Sequence, residues 1–262
     1  MSGDLDLLAA TVQEAGKIAS GYWRNNPEVW DKGGSAGPVS EADLHTDRFL
    51  RETLTAARPD YGWLSEETED TPSRLQKTRT FIVDPIDGTR SFLAGERPWA
   101  VSAAIADNGG VVAGVVARPM LDLFLSAEKE HGASLYGQPI LTSKVDTLEQ
   151  AQVLLARPAM DASFWQGDVP PIQRHFRPSL AYRLALVAQG RFDGMLTLRS
   201  TWEWDVAAGM LIATEAGAIA TDRAGKAPIF NNAVPQIDGA LVGNPGLHAA
   251  LSQRLRVPRD TA

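Results

Sequence analysis

The 262-residue chain has no cysteine, which removes a disulfide scaffold, a thiolate nucleophile and a zinc–thiolate site at once. No Gly-x-Ser-x-Gly elbow is present, so nothing supports a serine hydrolase. The four histidines (His45, His131, His175, His248) lack metal-ligand spacing and are expected in the core or in solvent. Positive charge is in deficit: 25 Lys and Arg against 32 Asp and Glu leave a net −7, which argues against nucleic acid or an anionic membrane as the main partner. No apolar run approaches membrane length, and the first ten residues carry acids rather than the basic start of a secretory leader. A cytoplasmic protein is the expectation. What remains is an ordinary globular composition, 44% apolar and 22% charged, in a chain long enough for a substantial core. An anionic substrate would need a local counter-charge, either a metal or a few placed Lys or Arg.

Leu5, Leu8, Val12, Ala15, Ala19 and Tyr22 recur at three- and four-residue spacing, predicting a helix from Asp4 to about Trp23. The Gly33–Pro38 stretch reads as a mobile loop. Ser40 then reads as the N-cap of a helix over Glu41–Ala57, with Leu44, Leu50 and Leu54 inward. Strands are expected at 62–65, 81–83, 100–106, 111–117 and 121–127, the third and fourth joined through Asp107-Asn108-Gly109-Gly110. A second lobe is expected to begin near Thr142, with strands at 153–156, 195–198 and near Ile219 and Leu241, and helices over 179–189 and 205–216. The division is 1–141 for a lobe carrying most of the candidate ligands and 142–262 for a lobe completing one catalytic unit. Mixed helices and strands point to layered α/β sheets.

The hexapeptide Asp84-Pro85-Ile86-Asp87-Gly88-Thr89, directly after apolar Phe81-Ile82-Val83, is the most informative stretch. Two carboxylates three residues apart on a Pro-initiated turn can converge with the intervening carbonyl, a donor set suited to a hard cation such as Mg2+. Gly88 permits close backbone approach, and Thr89 adds a hydroxyl at an expected helix start, where free N–H groups favour phosphate. Asp43, Glu66-Glu67 and Asp205 recur at other junctions between elements, so the acids can share one pocket. Carboxylates that close would not all ionise without a compensating cation.

Trp63-Leu64-Ser65-Glu66-Glu67, the hexapeptide, and Trp204-Asp205-Val206-Ala207-Ala208-Gly209 resemble the three signature motifs of the inositol monophosphatase-like superfamily, over nearly the whole chain. Val39-Ser40-Glu41-Ala42-Asp43 is similar to its Val-Thr-x-x-Asp element, with Ser40 for the usual Thr. The resemblance implies a layered α-β-α-β-α sandwich of the sugar-phosphatase type, lithium-sensitive hydrolysis of a small phosphorylated metabolite by metal-activated water, two or three Mg2+ ions, and a homodimer. It implies Glu66, Asp84, Asp87, Asp205 and the Ile86 carbonyl as metal ligands. Thr89, oriented by Asp43, would position and deprotonate the attacking water together with Glu66, and the N–H groups of Gly88 and Thr89 would hold phosphate oxygens. Asp205 is also expected at the substrate, Glu67 behind the ligands, and Lys32 as a solvated loop lysine. A haloacid dehalogenase-type phosphatase is disfavoured by the three-residue Asp spacing. A regulatory partner of transcription or RNA machinery would leave the retained ligands dispensable.

Two features bear on the substrate. Inositol-specific members tend to place a Glu seven residues before the last metal-binding Asp, and Leu198 stands there. Thr201-Trp202-Glu203-Trp204-Asp205 resembles the corresponding segment of bacterial bisphosphate nucleotidases, in which a Lys at the position of Arg183 can meet a second phosphate. The sequence therefore favours 3'-phosphoadenosine 5'-phosphate, with inositol 1-phosphate as the alternative.

Overall fold

In the computed structural model, which describes residues 3–33 and 37–256, the apolar spacing of the first sixty residues resolves into two helices. Helix α1 (Gly3–Tyr22) buries Leu5, Leu8, Val12, Ala15 and Ala19, as its periodicity predicts. A hairpin not expected from the sequence follows, β1 (Val29–Asp31) paired with β2 (Pro38–Ser40). The expectation of a mobile Gly33–Pro38 loop falls mainly on residues 34–36, outside the described residues. Helix α2 (Glu41–Ala57) begins directly after Ser40 and buries Ala42, Thr46, Leu50 and Leu54. Leu44, expected inward, is 36% exposed. It lies two residues from Ala42 and Thr46, which places it on the far side of a 3.6-residue turn.

A seven-stranded sheet takes up the strands in chain order. These are β3 (Gly62–Ser65), β4 (Arg79–Asp87), β5 (Ala100–Asp107), β6 (Gly110–Arg118), β7 (Leu123–Glu128), β8 (Ala133–Leu135) and β9 (Gln138–Pro139), with α3 (Thr89–Leu93) between β4 and β5. Only β3 and β4 are parallel. The β5–β6 turn has positive φ at Asn108 (49°) and Gly109 (86°), the conformation that Asn-Gly favours between twisted strands.

The remaining chain supplies β10 (Gln152–Leu155), β11 (Gln173–His175), α4 (Leu180–Ala188), β12 (Gly194–Thr197), β13 (Thr201–Trp202), α5 (Glu203–Glu215), β14 (Ile219–Thr221), β15 (Gln236–Ile237), β16 (Ala240–Gly243) and α6 (Pro245–Ser252). Five of its strands form a second sheet in the order β11-β10-β12-β16-β14, and β13 pairs with β15.

Strand alternation sorts these elements into layers. Phe81 and Val83 face the core made with α1 and α2, while Leu64 and Ile82 face the core made with α4 and α5. In the second sheet Met195 and Val242 join that same α4–α5 core, whereas Val153, Leu155, Leu196 and Leu241 pack outward with Leu247 and Leu251 of α6. The result is the expected layered α-β-α-β-α arrangement. Helix α5 is buried on almost every side because a sheet lies on each flank. Among the described residues no helix is long and apolar enough to cross a membrane.

Candidate active site

The hexapeptide is not a turn following a strand. Strand β4 continues through Asp84, Pro85 and Ile86 to Asp87, and its pairing with β5 slips between Asp84 and Asp87. Pro85 has no N–H to give a ladder, so the irregularity falls where the chain can least sustain regular pairing. Asp205, third residue of α5, approaches from the opposite layer. One carboxylate oxygen from each of Asp84, Asp87 and Asp205 lies within 4.8 Å of the others.

Each of these side chains is held differently. Asp84 Oδ1 accepts the Ile86 N–H at 3.0 Å, while its buried Oδ2 has no hydrogen-bond partner. Asp87 Oδ2 accepts the Ser179 hydroxyl at 2.5 Å and the Ala181 N–H at 2.7 Å, both at the start of α4. The Thr201 hydroxyl donates to Asp205 Oδ2 at 3.2 Å. Burial, reinforced by the charges of Glu66 and Asp87, pushes Asp84 and Asp205 well above the ordinary carboxylate range. Burial also raises Asp87, to about 6, against the hydrogen bonds from Ser179 and Ala181. Ser179 was not anticipated from the sequence as a site residue. Its Pro-Ser start and N-cap position were visible, but not the fact that α4 aims that cap at Asp87.

Thr89 opens α3 beside the cluster. Its hydroxyl lies 3.1 Å from both Asp43 Oδ1 and the Ile86 carbonyl oxygen, and donates its single hydrogen to one of them at a time. Asp43 is fixed in turn, since the Ser40 N–H and hydroxyl both donate to its Oδ2, at 2.8 and 2.5 Å. Burial lifts Asp43 to about 6 despite these donors. Gly88 turns the chain from strand to helix at φ 100°, and a Cβ there would come within 3.1 Å of the Pro98 carbonyl oxygen. Both facts require glycine.

Glu66 and Glu67 follow β3, the strand parallel to β4. Lys32, expected to be solvated, reaches from the β1–β2 hairpin to Glu66 Oε1 (3.0 Å) and Glu67 Oε1 (2.6 Å). Glu67 is the more enclosed, with a side chain 2% exposed, and burial with the charge of Glu66 pushes it up to about 8 in spite of Lys32. Glu66 is partly open and acts electrostatically on Asp84, Asp87 and Asp205.

The two residues that bear on the substrate are both enclosed. Arg183 is buried, donates from Nε to the Arg177 carbonyl oxygen, and lies 4.5 Å over the Phe176 ring. Burial lowers its guanidinium to about 10, and its charge acts on Asp87. Leu198, the residue after the end of β12, packs in the outer core with Leu196. Its side chain therefore bears on the outer core, so it cannot serve as evidence against a polyol.

Three crowded carboxylates, an orphaned buried oxygen and raised proton affinities make a set of hard oxygen donors that fits a divalent cation. The inositol monophosphatase family model matches residues 4–257. An inositol-1-monophosphatase of Rhizobium meliloti is 34% identical over 97% of this chain and 96% of its own. A histidinol-phosphatase of Chlorobaculum parvum is 30% identical over 93% of this chain and 98% of its own. The solved structure of a Thermotoga maritima IMPase superposes with a TM-score of 0.81 at 28% identity, covering 96% of each chain. The acidic cluster lies on the β4 and α5 segments where the sequence motifs stand, and the chain belongs to the inositol monophosphatase family, the metal-dependent phosphoric monoester hydrolases.

Proposed function

We propose that this protein hydrolyses a small phosphomonoester of the inositol 1-phosphate type by direct attack of water, with Asp84, Asp87, Asp205, Glu66 and the Ile86 carbonyl as metal ligands. The observation that carries the reading is the approach of the Asp84, Asp87 and Asp205 carboxylates to within 4.8 Å. Two or three Mg2+ ions bound there would offset the clustered negative charge and supply Lewis-acid activation of water and phosphoryl oxygens. Thr89 orients the attacking water and accepts its proton while giving its own hydroxyl proton to the Asp43 carboxylate, whose proton affinity is raised to about 6 and which is held by Ser40. The N–H groups of Gly88 and Thr89 hold phosphate oxygens, and Asp205 orients the ester side of the substrate.

The polyol reading draws support from the family and from the name of the R. meliloti relative. It also gains from the outward packing of Leu198, which removes the residue-level argument against it. The buried Arg183 near Asp87 favours a second reading, in which the substrate carries a further anionic group, as 3'-phosphoadenosine 5'-phosphate does. A cytoplasmic homodimer completes the proposal, and sedimentation of the purified protein tests the dimer. The substrate is tested by Mg2+-dependent phosphate release from inositol 1-phosphate and the bisphosphate nucleotide side by side. Faster release from inositol 1-phosphate is expected. A large preference for the nucleotide would overturn the substrate assignment and leave the metal chemistry standing, whereas no turnover of any phosphomonoester would overturn the function.

A further inference from the structure

Arg74 and Glu203 are among the most deeply buried ionic residues described, 2% and 0% exposed, and their side chains hydrogen-bond to the 231–232 loop and to Asp70 rather than to the carboxylate cluster. Arg74 sits in the 3-10 turn Pro72–Gln76, which leads into β4. Glu203 is the first residue of α5, two before Asp205. The loop between β14 and β15 joins them. Glu203 Oε2 accepts the Asn231 N–H at 2.6 Å, and Oε1 accepts the Asn232 N–H at 2.9 Å and the Asn232 side-chain amide at 2.7 Å. The backbone N–H of Glu203 donates to the Pro235 carbonyl oxygen at 3.0 Å. Arg74 then fastens the same loop, donating from Nη1 to Asn231 Oδ1 at 2.6 Å and from Nη2 to the Asn232 carbonyl oxygen at 2.8 Å, while Asp70 accepts from its other donors.

A helix N-terminus ordinarily keeps an early Glu near its own free N–H groups. Here the carboxylate is turned away, to N–H groups of another segment. The arrangement has a mechanical reason in the cluster itself. Asp84 and Asp87 ride on β4 and Asp205 rides on α5, and in the metal-free protein their like charges push those two elements apart. The Arg74–Asn231–Asn232–Glu203 chain ties the first turn of α5 to the 3-10 turn that leads into β4, and the Arg74 carbonyl oxygen in turn accepts the Thr80 hydroxyl of β4 at 3.5 Å. Buried hydrogen bonds of this kind hold one geometry, because opening them leaves charged groups without partners.

We propose that Arg74 and Glu203 are positioning residues for metal binding: together they fix the first turn of α5 against the turn that leads into β4, so that Asp205 meets Asp84 and Asp87 at ligand spacing before the metal arrives. The inference rests on the assignment of those three carboxylates as metal ligands.

The test is Mg2+ binding measured by titration calorimetry on wild type, Glu203→Gln, Arg74→Lys and Asn244→Ala, with circular dichroism and melting curves for each. The glutamine places an N–H group against an N–H donor of the loop, and the lysine keeps the charge but loses the fork. Asn244→Ala removes the N-cap of α6, whose side chain accepts from Leu247 and donates to Ser143 and Val145 carbonyl oxygens, so it destabilises the fold away from the site. Both network variants are expected to weaken Mg2+ binding about 10- to 100-fold, the range for lost outer supports of a metal site, while Asn244→Ala melts earlier with unchanged affinity. Arg74→Lys, the milder change, keeps the test informative should Glu203→Gln fail to fold. The inference is overturned if the folded network variants bind Mg2+ as wild type does, for then the network is structural only. Absence of Mg2+ binding in wild type would overturn the ligand assignment and this inference with it.

Discussion

Replacing Asp84 by Asn should stabilise the metal-free protein while destroying its metal site. Asp84 is 1% exposed, and its Oδ2 has no hydrogen-bond partner. The substituted amide can keep the acceptor for the Ile86 N–H and turn its NH2 toward the neighbouring carboxylates, changing repulsion into donation. Two unit charges 4.8 Å apart repel by about 3.5 kcal/mol at an effective dielectric constant of about 20. Metal-free wild type already escapes part of this by holding protons, since Asp84 and Asp205 are both pushed well above the usual range. The expected net gain is therefore smaller, about 2 kcal/mol near neutral pH, or roughly 4–8 °C in melting temperature for a chain of this size. The assay is a pair of thermal melts in EDTA and in excess Mg2+. In EDTA the variant should melt above wild type, and on adding Mg2+ only wild type should rise, because a ligand stabilises the state that binds it. A variant less stable than wild type in EDTA, or one stabilised equally by Mg2+, would refute the charge-repulsion argument.

The same crowding sets a pH dependence. Asp43 and Asp87 are raised from 3.8 to about 6 and Glu67 from 4.5 to about 8, so the native metal-free state keeps protons that the unfolded chain has released. Their contribution to stability is full below about pH 4 and is lost as pH rises through about 6 and then about 8. A shift of this size is worth about 3 kcal/mol for a single carboxyl such as Asp43. Denaturant melts in EDTA should thus show stability falling from about pH 5 to about pH 8.5, and a rising trend would contradict the burial of these groups. Thr89→Ala should lower kcat by about 10²- to 10⁴-fold with Mg2+ affinity nearly unchanged, and Thr89→Ser should restore most of it. Equal loss in both variants would remove the hydroxyl from the proton path.

Much of this site could be read from the chain because its parts are local. Asp84, Asp87, Gly88 and Thr89 lie within one six-residue stretch, and their geometry follows from Pro85, the bulge and the positive φ of Gly88. The long helices were equally readable from three- and four-residue spacing. What escaped depends on contacts between distant segments. Lys32 reaches Glu67 only because an irregular stretch folds into a hairpin, and Ser179 meets Asp87 across 92 residues. Leu198 is weighed in the sequence by its offset from Asp205, and its packing in the outer core with Leu196 depends on contacts that the offset does not carry. The burial of Arg74 and Glu203 had no local signal, although Glu203 stands in a recognised segment, since a buried charge and a surface charge look alike until their partners, 157 and 29 residues away, are in place.

The most direct test of the central claim is Mg2+-dependent phosphate release by the Asp87→Asn variant. The amide can still offer an oxygen to the Ser179 hydroxyl and the Ala181 N–H, so folding should be little affected and circular dichroism should match wild type. The account predicts turnover lost by at least about three orders of magnitude on every phosphomonoester, because a ligand charge between Asp84 and Asp205 is gone. Retained Mg2+-dependent turnover in the folded variant would show that these carboxylates do not hold the catalytic metal.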